Sequence, residues 1–237
     1  MKGLSVYLKI KFAGRCRQAL CLASICLLVG CQSNSTCEGD KLKQVTSSAE
    51  LGDPEAQNQL AQMYEFGECV SRDFESAAQW YQKAAQQDQL NAQKVLGFMY
   101  AGGVGVESDS EQALFWFRTA AERGHPEAQL GLAMAYHRGI GLDRSYESAV
   151  EWLRRSAQQD FSRGQYNLGY AYESGKGIEM DFVLAYQWYA LAARKDYPKA
   201  EKALQRLAKN MTPSEITEAN QGVTEWTQAY LNSARTE

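Results

Sequence analysis

The sequence predicts an all-α protein, an α-solenoid of 36-residue helix-turn-helix repeats closed by helical caps. The first basis is a set of residues that recur at this period. They are Tyr64, Tyr100, Tyr136 and Tyr172, with Leu60, Leu96, Leu132, Leu168 and Leu204, and Trp80, Trp116, Trp152 and Trp188. Second, small and apolar residues within each repeat lie three and four positions apart, which indicates one face of a helix. Third, glycines separate the two helical segments of each repeat. Such units bury their apolar faces only by stacking on one another.

Residues 1–30 are predicted to be a cleaved export signal. The first seventeen residues carry five basic side chains and no acidic one, and eleven mostly apolar residues follow at 19–29. Eleven residues are too few for a helix that spans a bilayer, which needs about 20. A charged start followed by a short apolar stretch is typical of a secretory signal.

The end of this segment resembles the lipobox of bacterial lipoproteins. The matching residues are Leu28, Val29, Gly30 and Cys31. The resemblance implies that the Cys31 thiol receives diacylglycerol and that residues 31–39 form a lipidated tether. Gln32, in the place of an Asp after that cysteine, implies attachment to the outer membrane facing the periplasm. A buried structural cysteine after an ordinary signal peptide stays open as the alternative.

Charge and cysteine content narrow the partners and the compartment. Removal of residues 1–30 leaves 20 basic and 28 acidic residues, a formal net charge of −8. Such an acidic chain is not expected to bind nucleic acid. Besides Cys31, only Cys37 and Cys69 remain, and a single disulfide between them is the simple interpretation in an oxidising compartment. A redox-active pair is the alternative, although the two cysteines lack a Cys-x-x-Cys spacing.

Helical caps are predicted at both ends of the repeats. Residues 40–51 match the second helix of a repeat alone, because Ala49 lies one period before Ala85. About four repeats occupy residues 52–207. At residues 208–237, Thr212, Pro213 and Glu215 form an N-cap, a first-turn proline and a capping-box acid that open a last helix. These end helices would cover the open faces of the solenoid.

The turn inside each repeat has its own pattern. Glycine pairs occur at Gly103 and Gly105, Gly139 and Gly141, and Gly175 and Gly177, while Cys69 stands in the place of one such glycine. Four residues after the second glycine position come Asp73, Asp109, Ser145 and Asp181, which are predicted N-caps of the second helix. A phosphate-binding loop is the alternative for Gly-x-Gly, but no strand precedes it.

The combined pattern identifies a family resemblance. Ala-x-x-x-Leu-Gly-x-x-Tyr, then Gly-x-Gly-apolar, then Ala-x-x-Trp-x-x-x-Ala-Ala resembles the Sel-one-like repeat, a relative of the tetratricopeptide repeat, over residues 49–207. The resemblance implies a right-handed solenoid whose first helices line a concave wall that binds proteins or peptides. It therefore favours a lipid-anchored, monomeric adaptor in the cell envelope, with a protein, peptide or envelope polymer as its partner.

The resemblance also assigns the wall residues. The predicted partner-binding set is Phe98, Leu130, Met134, His137, Tyr166, Tyr170, Lys202 and Arg206. Along the repeats the wall changes from acidic and amide side chains, through apolar ones, to a basic end. This gradient predicts an extended, polarised ligand. The alternative is that the apolar members pack against neighbouring repeats.

Enzyme chemistry is not expected. The two histidines, His125 and His137, have no metal-binding spacing, and no nucleophile elbow or phosphate loop is present. The sequence therefore predicts neither a metal nor a cofactor. Cysteine-rich Sel-one-like relatives have been described as penicillin-binding or weak β-lactamases, so a peptidoglycan or β-lactam hydrolase stays open. A purely structural envelope component is the third hypothesis.

Overall fold

The computed structural model describes residues 39–235. Over this range the chain forms α-helices and one 3₁₀ turn, Ala208–Asn210, and no strand. The helices are α1 (Gly39–Glu50), α2 (Pro54–Phe66), α3 (Phe74–Gln86), α4 (Leu90–Gly102), α5 (Ser110–Glu122), α6 (Pro126–Arg138), α7 (Tyr146–Gln158), α8 (Ser162–Ser174), α9 (Phe182–Ala193), α10 (Ala200–Leu207) and α11 (Pro213–Ser233).

The helices pair into hairpins that stack in chain order. α2 packs on α3, α4 on α5, α6 on α7 and α8 on α9, and each second helix then packs on the first helix of the next hairpin. α1 packs on α2, and both α10 and α11 pack on α9. The prediction of an all-α solenoid of helix-turn-helix repeats is therefore confirmed. We call α2, α4, α6 and α8 the first helices, and α3, α5, α7 and α9 the second helices.

The second helices begin at the N-cap residues that the sequence predicts. Asp73 and Asp109 each accept hydrogen bonds from two amides in the first turn of α3 and α5. Ser145 and Asp181 cap α7 and α9, each by accepting a hydrogen bond from one amide of the first turn. These bonds satisfy amides that have no partner inside the helix. The predicted capping box of Thr212 and Glu215 opens α11.

The stack is tighter on the side of the first helices. α4 packs directly on α6 and α6 on α8, whereas among the described second helices no pair makes comparable contact. Within residues 39–235 the first helices of the second, third and fourth repeats are therefore in direct contact along one side of the stack.

A buried glutamine joins each repeat to the one before it. Gln57, Gln93 and Gln129 are at most 5% exposed. Their Nε2 atoms donate to the carbonyls of Ala49, Ala85 and Ala121 respectively, at 3.1 to 3.2 Å. These carbonyls lie at the end of the preceding helix, where intrahelical donors are lacking. The glutamines thus bind successive repeats through polar as well as apolar contacts.

The fourth repeat departs from this arrangement. Gln165 is completely buried, and its Nε2 donates to Asp160 Oδ1 at 3.0 Å. Its Oε1 has no hydrogen-bond partner in the described chain. The donors that serve Gln57 and Gln129 lie thirty residues later, at Gln87 and Gln159. The residue thirty positions after Gln165 is Lys195, and its Nζ binds Asp160 rather than the Gln165 Oε1.

Candidate functional site

The contact between the two helices of a hairpin differs from repeat to repeat at one position. In the first repeat the Tyr81 hydroxyl, which is completely buried, donates to Glu65 Oε2 at 2.5 Å. In the fourth repeat Tyr189 donates to Glu173 Oε2 at 2.6 Å. Burial, together with the acceptor carboxylate, raises the pKa of both tyrosines well above its usual value. Both hydroxyls therefore stay protonated and act as donors.

The two middle repeats lack this bond. Phe117 and Leu153 occupy the tyrosine positions, and Ala101 and His137 occupy the glutamate positions. A cavity lies beside each of them. The Phe117 cavity, about 170 Å³, lies between α4, α5 and α6, and the His137 cavity, about 200 Å³, lies between α6, α7 and α8. Each cavity is bounded by two successive first helices and by the second helix between them in the chain.

The two cavities are the same site repeated. Leu114 and Ile140 of the Phe117 cavity correspond, one period later, to Val150 and Lys176 of the His137 cavity. The cavities also adjoin, because Met134 and Arg138 line both. Together they form one double site along the first helices of the second, third and fourth repeats.

The Phe117 cavity is apolar. The Phe98 and Phe117 rings meet edge to face, with their centroids 4.8 Å apart. Phe117 reaches this position because a glycine faces it on each side, at Gly97 and Gly131. A Cβ atom on either glycine would come within 2.5 or 2.8 Å of the ring. The cavity can accept an aliphatic or aromatic side chain.

The His137 cavity is more polar than the Phe117 cavity, and positive charge lies at its edge. The His137 ring packs edge to face on Tyr146 at 5.1 Å. The Arg144 guanidinium lies 5.5 Å and the Lys176 ammonium 5.8 Å from the centroid of the same tyrosine ring. Burial, and then the charges of Lys176, Arg138 and Arg144, lower the pKa of His137. No carboxylate of the described residues lines either cavity.

Seven of the eight predicted wall residues divide into three groups. Phe98, Met134, His137 and Tyr170 line the two cavities. Tyr166 lies outside them and packs between Tyr189 and Tyr197, with ring centroids 5.3 and 5.1 Å away. Lys202 and Arg206 are exposed beyond the double site.

Leu130 is the one member of the predicted wall that the structure contradicts. It is 1% exposed and packs against Val150 and Leu168 in the core of the third and fourth repeats. Its helix turns its neighbour Met134 outward and Leu130 inward, so Leu130 cannot contact a partner. The alternative interpretation, that apolar members fill the core, is correct for this residue.

Ion pairs and amides between first helices reduce the predicted charge gradient. Glu127 binds Lys94 of the previous first helix and Arg163 of the next, each at 3.3 Å. At the basic end Arg206 binds Glu173 at 2.6 Å. Asn91 donates to Asn58 at 2.9 Å. Much of the polar wall therefore holds neighbouring repeats together.

The cysteine predictions lie partly outside the described residues. Cys31 and Cys37 precede residue 39. Cys69 is disulfide-bonded and has a φ of 63°, close to the 68° of Gly105 at the same place in the next turn. The pairing of Cys69 with Cys37 and the lipidation of Cys31 stay predictions. Among residues 39–235 no cluster of metal-ligating side chains occurs, and no helix is long and apolar enough to cross a membrane.

Sequence reasoning missed several residues of the double site. They are Leu114, Phe117, Arg138, Ile140, Tyr146 and Lys176. The signal that could have revealed them is a change inside the repeat register. Tyrosine occupies one second-helix position in the outer repeats and is replaced by Phe117 and Leu153 in the inner ones.

Comparisons with known proteins agree with the repeat boundaries. The family model described as Sel1 repeat matches residues 54–89, 90–125, 126–161 and 162–197, one match for each hairpin. A solved structure of a protective antigen from uropathogenic Escherichia coli strains, displaying an SLR fold, is 31% identical with a TM-score of 0.77. The match covers 85% of this chain and 44% of that one. This chain thus spans less than half the length of that relative.

A second solved structure, a Sel1 repeat protein from Oxalobacter formigenes, is 26% identical with a TM-score of 0.69. That match covers 80% of this chain and 75% of the other. No curated protein matches this chain significantly.

Proposed function

The chain belongs to the Sel1 repeat family, whose members typically serve as protein-interaction scaffolds, and from this premise we propose that it binds a protein or peptide on its first helices. We further propose that lipidated Cys31 anchors it in the bacterial cell envelope, at the outer membrane facing the periplasm. Sel1 repeat proteins are generally non-enzymatic, and the proposed activity is binding.

One observation carries the binding proposal. Two adjoining cavities occur on the first-helix side, in the repeats where the buried tyrosine–glutamate bond is absent. In the outer repeats a hydrogen-bonded tyrosine–glutamate pair occupies the corresponding positions. A concave, partly apolar site with a few polar groups at its edge is the usual form of a binding site. The open positions therefore favour insertion of a partner's side chains.

The proposed anchor would hold the start of α1 near the membrane. Only seven residues, 32–38, separate Cys31 from the start of α1 at Gly39. Even fully extended, seven residues reach about 25 Å. Two acyl chains on one cysteine are sufficient for stable attachment to a bilayer.

Site-directed photo-crosslinking in intact cells tests the binding proposal. A photoreactive amino acid at Tyr170 or Ile140, both exposed at the double site, is expected to form covalent adducts with one protein. The matched control is Gln82, an exposed position on the second helix α3. Adducts at all three positions in equal yield, or at Gln82 alone, would show that the partner does not use the first helices.

The anchor has an independent test. Replacement of Cys31 by serine (Cys31→Ser) removes the thiol that lipidation requires. The variant is expected to move from the membrane fraction to the soluble fraction, while its helical circular dichroism stays unchanged. Retention of Cys31→Ser in the membrane fraction after a salt wash would contradict the proposed anchor.

A further inference from the structure

We propose that the double site binds an extended peptide segment in which an acidic side chain stands two or three residues from an apolar side chain. The acidic side chain enters the His137 cavity and the apolar one enters the Phe117 cavity. This inference rests on the proposed function and names the chemistry of the partner.

The charge of the His137 cavity selects an anion. Arg138 and Lys176 line it, and Arg144 lies beside Tyr146 at its edge. Within residues 39–235 none of these three cations forms an ion pair, which is also true of most other described lysines and arginines. What distinguishes the three is that they lie together at one cavity that no carboxylate lines. The three thus concentrate uncompensated positive charge in an otherwise acidic chain. A carboxylate is the complementary group, and Arg138 can bind it with two parallel hydrogen bonds.

The lowered pKa of His137 supports the same conclusion. Burial is the largest cause of the lowered pKa, and all the other causes are nearby cations, namely Lys176, Arg138 and Arg144. The site thus disfavours an additional proton at this position. It favours negative charge at the same position for the same electrostatic reason.

The Phe117 cavity selects an apolar neighbour. Phe98, Leu114, Phe117, Met134 and Ile140 contribute apolar surface to it. Ile140 is 39% exposed at its rim, while Phe117 is 5% exposed at its floor. An inorganic anion or a hydroxyl-rich glycan chain would leave this surface unfilled. A peptide supplies both an anionic and an apolar group from one chain.

The spacing of the two groups follows from the repeat. The cavities are one period apart along directly packed first helices, and the axes of packed helices are about 8–10 Å apart. An extended peptide advances about 3.3 Å per residue. Three residues of a polyproline II segment, about 9.3 Å, therefore span the distance with both side chains on one face. Two residues of a β-strand, about 6.6 Å, also place both side chains on one face, and the length of the side chains covers the remainder.

The outer repeats supply a variant that closes the site. Leu153→Tyr combined with His137→Glu places in the third repeat the residue pair that the first and fourth repeats carry. The new tyrosine should fill the His137 cavity and donate to the new glutamate. Because this pair already fits the same position twice in the fold, the variant is expected to keep its helical content and unfolding midpoint.

The test is selection of random heptapeptides displayed on phage, with the purified full-length chain as bait. Selected peptides are expected to carry Asp or Glu two or three positions from Leu, Ile, Met or Phe. Replacement of that acid by its amide should weaken binding at least tenfold, measured by fluorescence anisotropy of the labelled peptide. The closed variant, and separately Arg138→Glu with Lys176→Glu, should each weaken it at least tenfold.

The outcomes separate this inference from the proposed function. Peptides that bind the wild type, lose binding to the closed variant and show no acidic preference would overturn the inference and leave the proposed function standing. If no selected peptide distinguishes the wild type from the closed variant, both fail. Displacement of the selected peptides by a muropeptide fraction at lower concentration would assign the site to an envelope polymer and overturn the peptide proposal.

Discussion

Tyr81 donates a 2.5 Å hydrogen bond to Glu65 between the two helices of the first hairpin. Three repeats later Tyr189 makes the equivalent bond with Glu173. Between them, Phe117 and Leu153 have no hydroxyl to donate, and the cavities lie there. The same repeat position thus serves packing at the ends of the stack and leaves space in its middle.

Tyr81→Phe is expected to lower the free energy of unfolding by about 1.5–3 kcal/mol, since it removes a buried hydrogen bond to a charged acceptor. Urea unfolding followed by circular dichroism measures the loss. The control is the same substitution in a Glu65→Ala background, which reproduces the Phe117 and Ala101 pair of the second repeat. There the cost should be clearly smaller, and equal costs in both backgrounds would mean that the bond contributes nothing.

The same bonds predict sensitivity to alkali. The pKa of Tyr81 and Tyr189 is raised by burial and by the acceptor carboxylates, whereas in the unfolded chain a tyrosine titrates near about 10. Because the folded state holds these protons more tightly, their contribution to stability is complete below about pH 10 and is lost as the pH rises further. Urea unfolding at several alkaline pH values should show a steeper loss for the wild type than for Tyr81→Phe with Tyr189→Phe. Parallel curves would contradict the prediction.

Leu130→Ala and Tyr170→Ala are expected to separate core from surface. Leu130 is fully packed, so its truncation should cost about 2–5 kcal/mol of unfolding free energy. Tyr170 is 44% exposed, and its truncation should cost under about 1 kcal/mol. Thermal and urea unfolding of the two variants give the comparison. A larger loss for Tyr170→Ala than for Leu130→Ala would contradict the assignment of Leu130 to the core and of Tyr170 to the surface.

Two glycines in one turn provide a matched pair. Gly103 and Gly105 both have positive φ, 64° and 68°. A Cβ on Gly105 would lie 2.0 Å from the Phe74 carbonyl oxygen, while one on Gly103 would meet nothing closer than 3.4 Å. Both alanine variants carry the cost of a left-handed residue, about 1–2 kcal/mol. Gly105→Ala should lose a further ~1–3 kcal/mol because α3 and the turn must separate. Equal unfolding free energies would contradict this close approach.

The buried glutamines allow a comparison between repeats. Gln129→Met removes two hydrogen bonds: the one that its Nε2 donates to the Ala121 carbonyl, which still accepts from the Gly124 amide, and the one that its Oε1 accepts from the Gln159 amide. The substitution should cost about 1–3 kcal/mol. Gln165→Met removes an amide whose Oε1 is already unpaired and whose Nε2 donates one hydrogen bond, to Asp160, which keeps its ion pair with Lys195. Its cost in urea unfolding should be smaller by at least about 1 kcal/mol. The reverse order of the two costs would show that the glutamine bonds do not stabilise the stack.

The fold was largely predictable because the same local sequence preferences recur in four repeats. Each 36-residue unit presents the same helical spacing, turn glycines and N-cap residues, so a weak preference at one place is reinforced at three others. The capping residues Asp73 and Asp109 act within a few positions of themselves and were predictable for that reason. No comparable local rule relates Arg206 to Glu173, which lie 33 residues apart.

The site was less predictable because helical spacing shows which residues share a face of a helix, but not how deeply each of them is buried. Leu130 and Met134 lie four positions apart on one stripe, yet Leu130 is in the core and Met134 lines both cavities. Burial there depends on the next repeat, whose Leu168 covers Leu130. The cavities themselves lie in the two repeats where other residues replace the tyrosine–glutamate pair. Such a feature becomes visible only when the repeats are compared position by position.

Met134 lies in the lining of both cavities, so the state of one cavity affects the other. A methionine side chain has several accessible rotamers and adapts its shape to its surroundings at small cost. When a ligand group enters one cavity and displaces this side chain, the volume of the adjoining cavity changes with it. A ligand group that displaces Met134 in this way would link occupancy of the two halves thermodynamically, and such a coupling must be reciprocal.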